Sequence, residues 1–343
     1  MKKILAALAL VLLLAACDNR PRLVIYTWSD MFPQEILSGF ERETGIRIQY
    51  VNFDYNETMF ARIQAAGGGN YDLVIGDDYM VENVIQAGLA KRLDLSRLPG
   101  FVNINPLFQG QFYDPYDEFT VPYGAGVQTI VYDPQLVTIP IQSYADLWDP
   151  ALAQRLGIID NFRVINGMAL KVLGESYNIN DLDTIQAAGD LLLSLAPNIR
   201  LIRDDRLDDE LLSGEIYAAV MYTEMVTRAM QARPDLRMVF PTEGIGFGIM
   251  PAFIPESAPN PDAAYAFLEY ILDPQRGAQS FMALGYYSTF AASDRYIDEN
   301  LREFLTLPED SDIDAMEMIM NVSPEADALH NRIWTAFKTA AGQ

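Results

Sequence analysis

From residue 23 to residue 87 short apolar runs alternate with amphipathic ones, and no other feature of the chain constrains its fold as tightly. Residues 23–27 read as a strand, and residues 33–44 as a helix with Ile36, Leu37 and Phe40 on one face and Gly45 just past its end. Residues 46–51 form the next strand, and Asn56 caps a helix to about residue 66 that the glycines at 67–69 terminate. Residues 71–75 are a buried strand, with another helix near 81–87. Such alternation needs a mostly parallel sheet covered by helices on both faces, where ligands gather beyond the carboxyl ends of the strands. Residues 28–30 and 77–79 fall there.

The pattern changes at residues 119–134, "FTVPYGAGVQTIVYDP", where extended runs are broken by Pro122, Gly124 and Gly126; this reads as a crossing into a second lobe. Beyond it the periodicity predicts a short helix at 143–150, a strand at 157–160, and helices at 164–173 and 182–195. One helical turn at 209–212, a buried strand at 217–221 and a helix starting at Glu224 follow. Residues 236–240 and 247–255 are extended, the second a candidate return crossing. Helices at 261–272 and 274–283 precede a loop, and the tail from Ser293 onward reads as helical throughout, ending with 324–341. Half the residues are apolar, enough to bury two cores rather than one.

The start of the chain, "MKKILAALALVLLLAAC", joins Lys2 and Lys3 to an apolar run too short to span a bilayer with ordinary flanks. Residues 1–16 read as a signal peptide and 17–22 as a tether. The ending resembles the bacterial lipobox, in which the cysteine is acylated; Cys17 is the only cysteine, so it has no partner for a disulfide within the molecule. The expectation is an exported domain held on a membrane surface through Cys17, on the periplasmic or extracellular side; the alternative is a plain secreted protein with an incidental cysteine.

The chain has 24 basic and 47 acidic residues, a net charge of −23, and two of those lysines belong to the leader. Such a surface repels nucleic acid and anionic lipid and attracts cations, unless the charge serves only solubility. His330 is the only histidine, which excludes zinc sites built from histidine and cysteine and the serine, histidine, aspartate relay. No G-x-S-x-G elbow or P-loop occurs, and "GIGFG" lacks dinucleotide-binding spacing, so no cofactor and no metal are expected. Paired carboxylates acting as acid and base, as in glycosidases, remain open.

The stretch "VIYTWSDMFPQE" can be read in two ways. Locally, Ser29 or Asp30 caps the helix, Pro33 takes its first turn and Trp28 is core. Alternatively, the aromatic face and carboxylate form half of a cation pocket. The long stretch from "IYTWSDMFPQEILSGFERETGIRIQY", then "YDLVIGDDYMVENVIQAGL", "ADLWDP", "MALKVLG", "SGEIYAAVMYTE", "AFIPESAPNPDAAYAFLEYILDPQ" and "ALGYYST", resembles the periplasmic spermidine/putrescine-binding proteins of ABC transporters, collinearly over nearly the whole chain after the leader. The resemblance implies an α/β chain with the type II periplasmic-binding-protein fold, two α/β lobes joined by crossing strands, with a ligand cleft between them. Lobe 1 would comprise 23–126 and 248–294, and lobe 2 127–247 and 295–343.

By the same resemblance the ligand-binding residues would be Trp28, Ser29 and Asp30 after the first strand, Asp77 and Tyr79 after "YDLV", Tyr222 at the end of a strand, Tyr286 in "GYYST" at the rim, and Glu325 near the last helix. The chain departs from the family where a pair of carboxylates three apart is expected and Asn161 and Val164 stand, and where a tryptophan and an aspartate two apart are expected and Gly248 and Met250 stand. Asp77, Asp78 and Glu224 are acids where the family more often has neutral residues, and would move the cation site. Each has a plainer reading: Asp77 and Asp78 as a solvated turn, Tyr222 as packing, Glu224 as an acid favoured by a helix N-terminus. The implied role is a monomeric receptor that binds a small cation, putrescine or spermidine, and delivers it to a membrane ABC permease. The same receptor for thiamine, an amino-sugar or an opine-like solute is the alternative, and a surface acid/base glycosidase the third reading.

Overall fold

The computed structural model describes residues 20–305 and 316–343; the leader and Cys17 lie outside the described residues. β1 (Arg22–Thr27), α1 (Gln34–Thr44), β2 (Arg47–Asn52), α2 (Asn56–Ala65), β3 (Leu73–Ile75) and α3 (Asp78–Gln86) follow one another as the alternation requires. β1 lies between β2 and β3, all parallel, with Ile25 in register with Tyr50 on one side and Leu73 on the other. Leu23 and Ile25 join a core with Ile36 and Phe40 of α1, whereas Tyr26 and Val74 join a second one with Met59 and Ile63 of α2 and Val81 and Val84 of α3. Burial on both faces is why β1 after Arg22 and β3 read as near-continuous apolar runs, whereas β2 at the sheet edge alternates.

Three short 3-10 turns lead to β4 (Thr120–Tyr132), a strand of 13 residues. There follow β5 (Leu156–Ile158), α4 (Phe162–Val172), α5 (Leu182–Leu193), β6 (Ile199–Ile202), α6 (Leu207–Ser213), β7 (Ala218–Tyr222), α7 (Thr223–Ala232) and β8 (Arg237–Val239). The rest comprises β9 (Ile245–Phe253), α8 (Pro261–Ile271), α9 (Pro274–Leu284), β10 (Tyr287–Ser288), α10 (Glu299–Leu305), β11 (Met316–Met318) and α11 (Pro324–Ala340).

The strand order is β2-β1-β3-β9-β4-β7-β5-β6. β4 links the two groups: up to Val127 it pairs with antiparallel β9, and from Gln128 it pairs with β7. On the far side β7, β5 and β6 are parallel, a second unit of the kind formed by β1 to β3.

Several local expectations are corrected. α1 starts at Gln34 after Pro33, with no side chain capping it; Asp30 instead sits in the left-handed region at φ 60°. Asn56 is the first residue of α2 rather than its cap, and its side chain turns to Asp77. The segment predicted as a short helix near residue 145 is two 3-10 turns, each bounded by an acid or proline. The tail is not helical throughout, because β11 pairs in parallel with β9, Met316 opposite Ile245. β6 was not expected; a run of four residues carries too little periodicity to announce itself.

Candidate functional site

The parallel strands of both groups direct their carboxyl ends to the region where β4 passes between them, so the loops after β1, β3, β5, β6 and β7 bring together residues distant in sequence. After β3, Asp77 occupies the N-cap position of α3 but caps nothing with its side chain. Its carboxylate accepts a hydrogen bond from Asn56 Nδ2 at 2.7 Å, and its N–H donates to Asn56 Oδ1 at 3.1 Å. Burial, opposed by that bond and assisted by Glu57, pushes the carboxyl up to about 6. Asp78 is tied down instead: its carboxylate accepts from the N–H of Tyr79 at 2.7 Å and of Ile249 at 2.9 Å, fastening α3 to β9. Tyr79 is half-buried beside Asp77 and Glu57, and its carbonyl accepts from Asn321 Nδ2.

On the other group, Tyr222 ends β7 and receives a hydrogen bond at 2.9 Å on its hydroxyl from Asn161 Nδ2. The Asn161 carbonyl oxygen meanwhile accepts from the N–H groups of Arg163 and Val164, capping α4. Asn161 therefore fixes the Tyr222 ring. Val164 is 3% exposed and belongs to the core.

Glu224 lies in the first turn of α7, whose start is fastened to β4 by Thr223, its hydroxyl bonded to both the N–H and the carbonyl of Val127. One carboxylate oxygen, Oε2, is buried without a partner. Burial pushes this carboxyl up to about 7, against the favourable presence of Arg228 and the Tyr286 hydroxyl. Arg228 is already engaged by Asp208 through two bonds of 2.8 and 2.9 Å. Tyr286 follows Gly285, the left-handed C-cap of α9 at φ 81°. Its ring lies over Gly126, where a Cβ would be 3.5 Å from Cδ1 and 3.3 Å from Thr223 Oγ1; the glycine makes that approach possible.

Asp204, just past β6, is an acid the sequence reading passed over. It remains exposed, yet crowding by protein atoms, then Asp160 and Asp77, push it up to about 6. The signal was the acid pair Asp204 and Asp205 directly after a strand, invisible while β6 itself was missed. Asp77, Asp204 and Glu224 all act on the Tyr222 hydroxyl, and Asp77 and Glu224 on that of Tyr286, so these five groups form one electrostatic cluster.

Among the described residues no hydrogen bond joins the other expected residues, Trp28, Ser29, Asp30 and Glu325, to this cluster. Trp28 is half-buried, its ring tilted 55° against Phe53 at 4.9 Å and its carbonyl bonded to the Tyr50 hydroxyl. Ser29 and Asp30 are exposed at the end of β1. Glu325 is exposed on the first turn of α11, which Ser323 caps. Where a tryptophan was expected, Gly248 leaves open space: a Cβ there would have only Asp78 Oδ2 within reach, at 3.9 Å. Met250 is 8% exposed and lies over Gly124. Among the described residues no group of three or more acids, histidines or cysteines is arranged to hold a metal ion, and no helix is long and apolar enough to cross a membrane.

A family model of bacterial extracellular solute-binding proteins matches residues 35–300. The chain is 31% identical to the spermidine/putrescine-binding periplasmic protein of Escherichia coli K12 over 311 residues, covering 89% of this chain and 88% of that one. It is 30% identical to the putrescine-binding periplasmic protein PotF of the same organism over 336 residues, 92% of this chain and 90% of the other. Among solved structures, the spermidine/putrescine ABC transporter substrate-binding protein PotD of Streptococcus pneumoniae matches with a TM-score of 0.84 and 29% identity, over 94% of this chain and 99% of that one. The family is defined by solute binding and is not a class of enzymes. With a family model matching residues 35–300 and a relative 31% identical over 89% of this chain, the chain belongs to the bacterial extracellular solute-binding proteins.

Proposed function

We propose that this protein is an exported receptor, anchored through a lipidated Cys17, that captures a polyamine such as putrescine or spermidine and delivers it to a membrane ABC permease. The observation that carries the ligand class is the pair of carboxyls of Asp77 and Glu224, both acting on the hydroxyls of Tyr222 and Tyr286, with the nearby Arg228 already bonded to Asp208. Acids whose neighbouring cation, Arg228, is already held by Asp208 invite a further cation. The relatives named for spermidine or putrescine binding support the same reading.

In this proposal residues 23–126 and 248–294 act as one lobe and 127–247 and 295–343 as the other, closing over the solute as a monomer. Asp77 and Glu224 anchor amines, Tyr79, Tyr222, Tyr286 and Trp28 supply ring faces, and Ser29, Asp30 and Glu325 contribute at the rim. A charge-assisted hydrogen bond is worth about 1.5–3 kcal/mol, an aromatic face about 0.5–2, and each buried methylene about 0.8. Two anchors, one or two rings and a four-carbon stem exceed the loss of translational freedom by enough for a micromolar binder, about −8 kcal/mol.

The open space at Gly248 favours a second reading, in which the same receptor takes a cation with a bulkier head, such as thiamine. Calorimetric titration with putrescine, spermidine and thiamine, with product analysis alongside, separates the readings. Micromolar binding of a polyamine without turnover is expected. Binding of thiamine alone selects the second reading, and glycoside turnover or indifference to all three cations contradicts both.

A further inference from the structure

The chain carries 47 acidic residues against 24 basic ones, yet four arginines gather at the amino ends of β1 and β2, the end of the sheet opposite the cleft residues. Arg22 opens β1 and Arg47 opens β2, and the two stand in register on parallel strands. Both lie on the side of the sheet where Tyr26 and Val51 pack against α2. α2 returns the chain from the carboxyl end of β2 to the amino end of β3, so Arg62 in its last turn comes to the same end. Arg20 stands two residues before Arg22, and the intervening Pro21 carbonyl accepts from the Arg47 N–H at 2.8 Å. All four arginines are exposed.

Like charges on neighbouring strands repel, and Arg22 and Arg62 make no ion pair among the described residues. Several acids at this end are engaged elsewhere. Asp72 accepts from the N–H of Val24 at 2.8 Å and of Asn260 at 2.6 Å, and Glu41 from that of Ile48 at 2.7 Å. Glu43 is bonded to Arg276 at 2.8 Å, and Glu256 lies 3.8 Å from Lys91.

The place of Cys17 in the chain says what covers this patch. Three peptide steps separate Cys17 from Arg20, at most about 11 Å of chain. Charges are screened over about 8 Å at physiological salt. An acyl chain on Cys17 seated in a bilayer therefore holds the arginines within reach of lipid phosphates. β1, of six residues, spans about 20 Å, which keeps the residues beyond its carboxyl end on the far side.

We propose that Arg20, Arg22, Arg47 and Arg62 form a docking surface for anionic lipid headgroups, holding the anchored protein with its cleft turned away from the bilayer. This rests on the reading of Cys17 as lipidated. Guanidinium groups take phosphate through paired N–H bonds, and a phosphate between Arg22 and Arg47 relieves their repulsion. The acidic remainder of the chain is repelled by the same lipid, so the patch sets the orientation. The cleft then takes solute from the side away from the membrane, and turning it toward a permease requires this face to leave the lipid.

The test is energy transfer to an acceptor dye on vesicle headgroups, with the mature acylated protein labelled at one introduced thiol. Cys17 is the only cysteine and its sulfur carries the acyl chain, so each introduced cysteine is a single labelling site. Gln64→Cys lies beside the patch and Asp54→Cys beyond the carboxyl end of β2, both at exposed positions. On vesicles containing phosphatidylglycerol the label at 64 should transfer more strongly than the label at 54. That contrast should fall on phosphatidylcholine alone, and at high salt. Arg22→Gln combined with Arg62→Gln should abolish the difference between the two lipids while melting as the parent does; should the pair fail to fold, Arg22→Gln alone decides. Transfer from position 64 that is equal on both lipids, or unchanged by the substitutions, overturns the inference. Mass spectrometry separates the two failures: a chain without an acyl group on Cys17 overturns the anchored reading and the inference with it, whereas an acylated chain indifferent to lipid charge overturns the inference alone.

Discussion

Glu224 keeps one oxygen, Oε2, buried and without a hydrogen-bond partner, and its titration follows from that burial. The groups facing it are Arg228, held by Asp208 from α6, Tyr286 from the loop after α9, Tyr222 from β7 and Asp204 from β6. A carboxyl raised to about 7 contributes stability that is complete below the ordinary carboxylate range and is lost as pH rises through about 7. Asp77 and Asp204, raised to about 6, act in the same direction. The ligand-free protein should therefore lose stability between about pH 5 and about pH 8, and Glu224→Gln should lose distinctly less. Thermal melts of both proteins across that window check this; identical slopes would contradict it. At the same scale, Asp30 shows the limit of reading residues from sequence. Its neighbours suggested a cap, but Pro33 holds the N-cap position of α1 and no side chain bonds there, while Asp30 lies three residues earlier at a left-handed φ of 60°.

The elements that were legible are those whose period is long enough to be counted, such as α1 with Ile36 and Phe40 inward and Gly45 closing it. β6 and β11, of four and three residues, exist because distant strands accept them: Ile199 pairs with Leu156, and Met316 with Ile245. Such pairing has no local signature, and with β6 unseen Asp204 at its end went unseen too. Helix α4 offers the sharpest test at this scale, because Asn161 both caps it and holds the Tyr222 hydroxyl. Asn161→Ala should cost about 1 kcal/mol in urea denaturation. Asn161→Asp should keep the cap and hence the stability, while adding the carboxylate that the relatives' pattern implies and tightening diamine binding. An alanine variant as stable as wild type would show that the cap is dispensable.

At the scale of the whole molecule, Pro122, Gly124 and Gly126 in an otherwise apolar run suggested a crossing at 119–134, and β4 there is the strand shared by the two groups. What the sequence could not indicate is where that crossing brings the side chains. β4 passes from β9 to β7 between Val127 and Gln128, and this single handover puts Asp77 from one group within electrostatic reach of Tyr222 and Asp204 from the other. The glycines along it serve close approach: Gly126 admits the Tyr286 ring, and Gly246 opposite leaves room for Gln128. Acids from two halves, with the neighbouring Arg228 engaged by Asp208, are what supports the proposal of a cation site. The most direct measurement is a crystal structure of the protein grown with putrescine. The account predicts an amine nitrogen within hydrogen-bond reach of the Asp77 and Glu224 carboxyls, with the carbon stem against Tyr222 and Tyr286. An anion in that gap, or those four side chains turned away from a bound ligand, would contradict it.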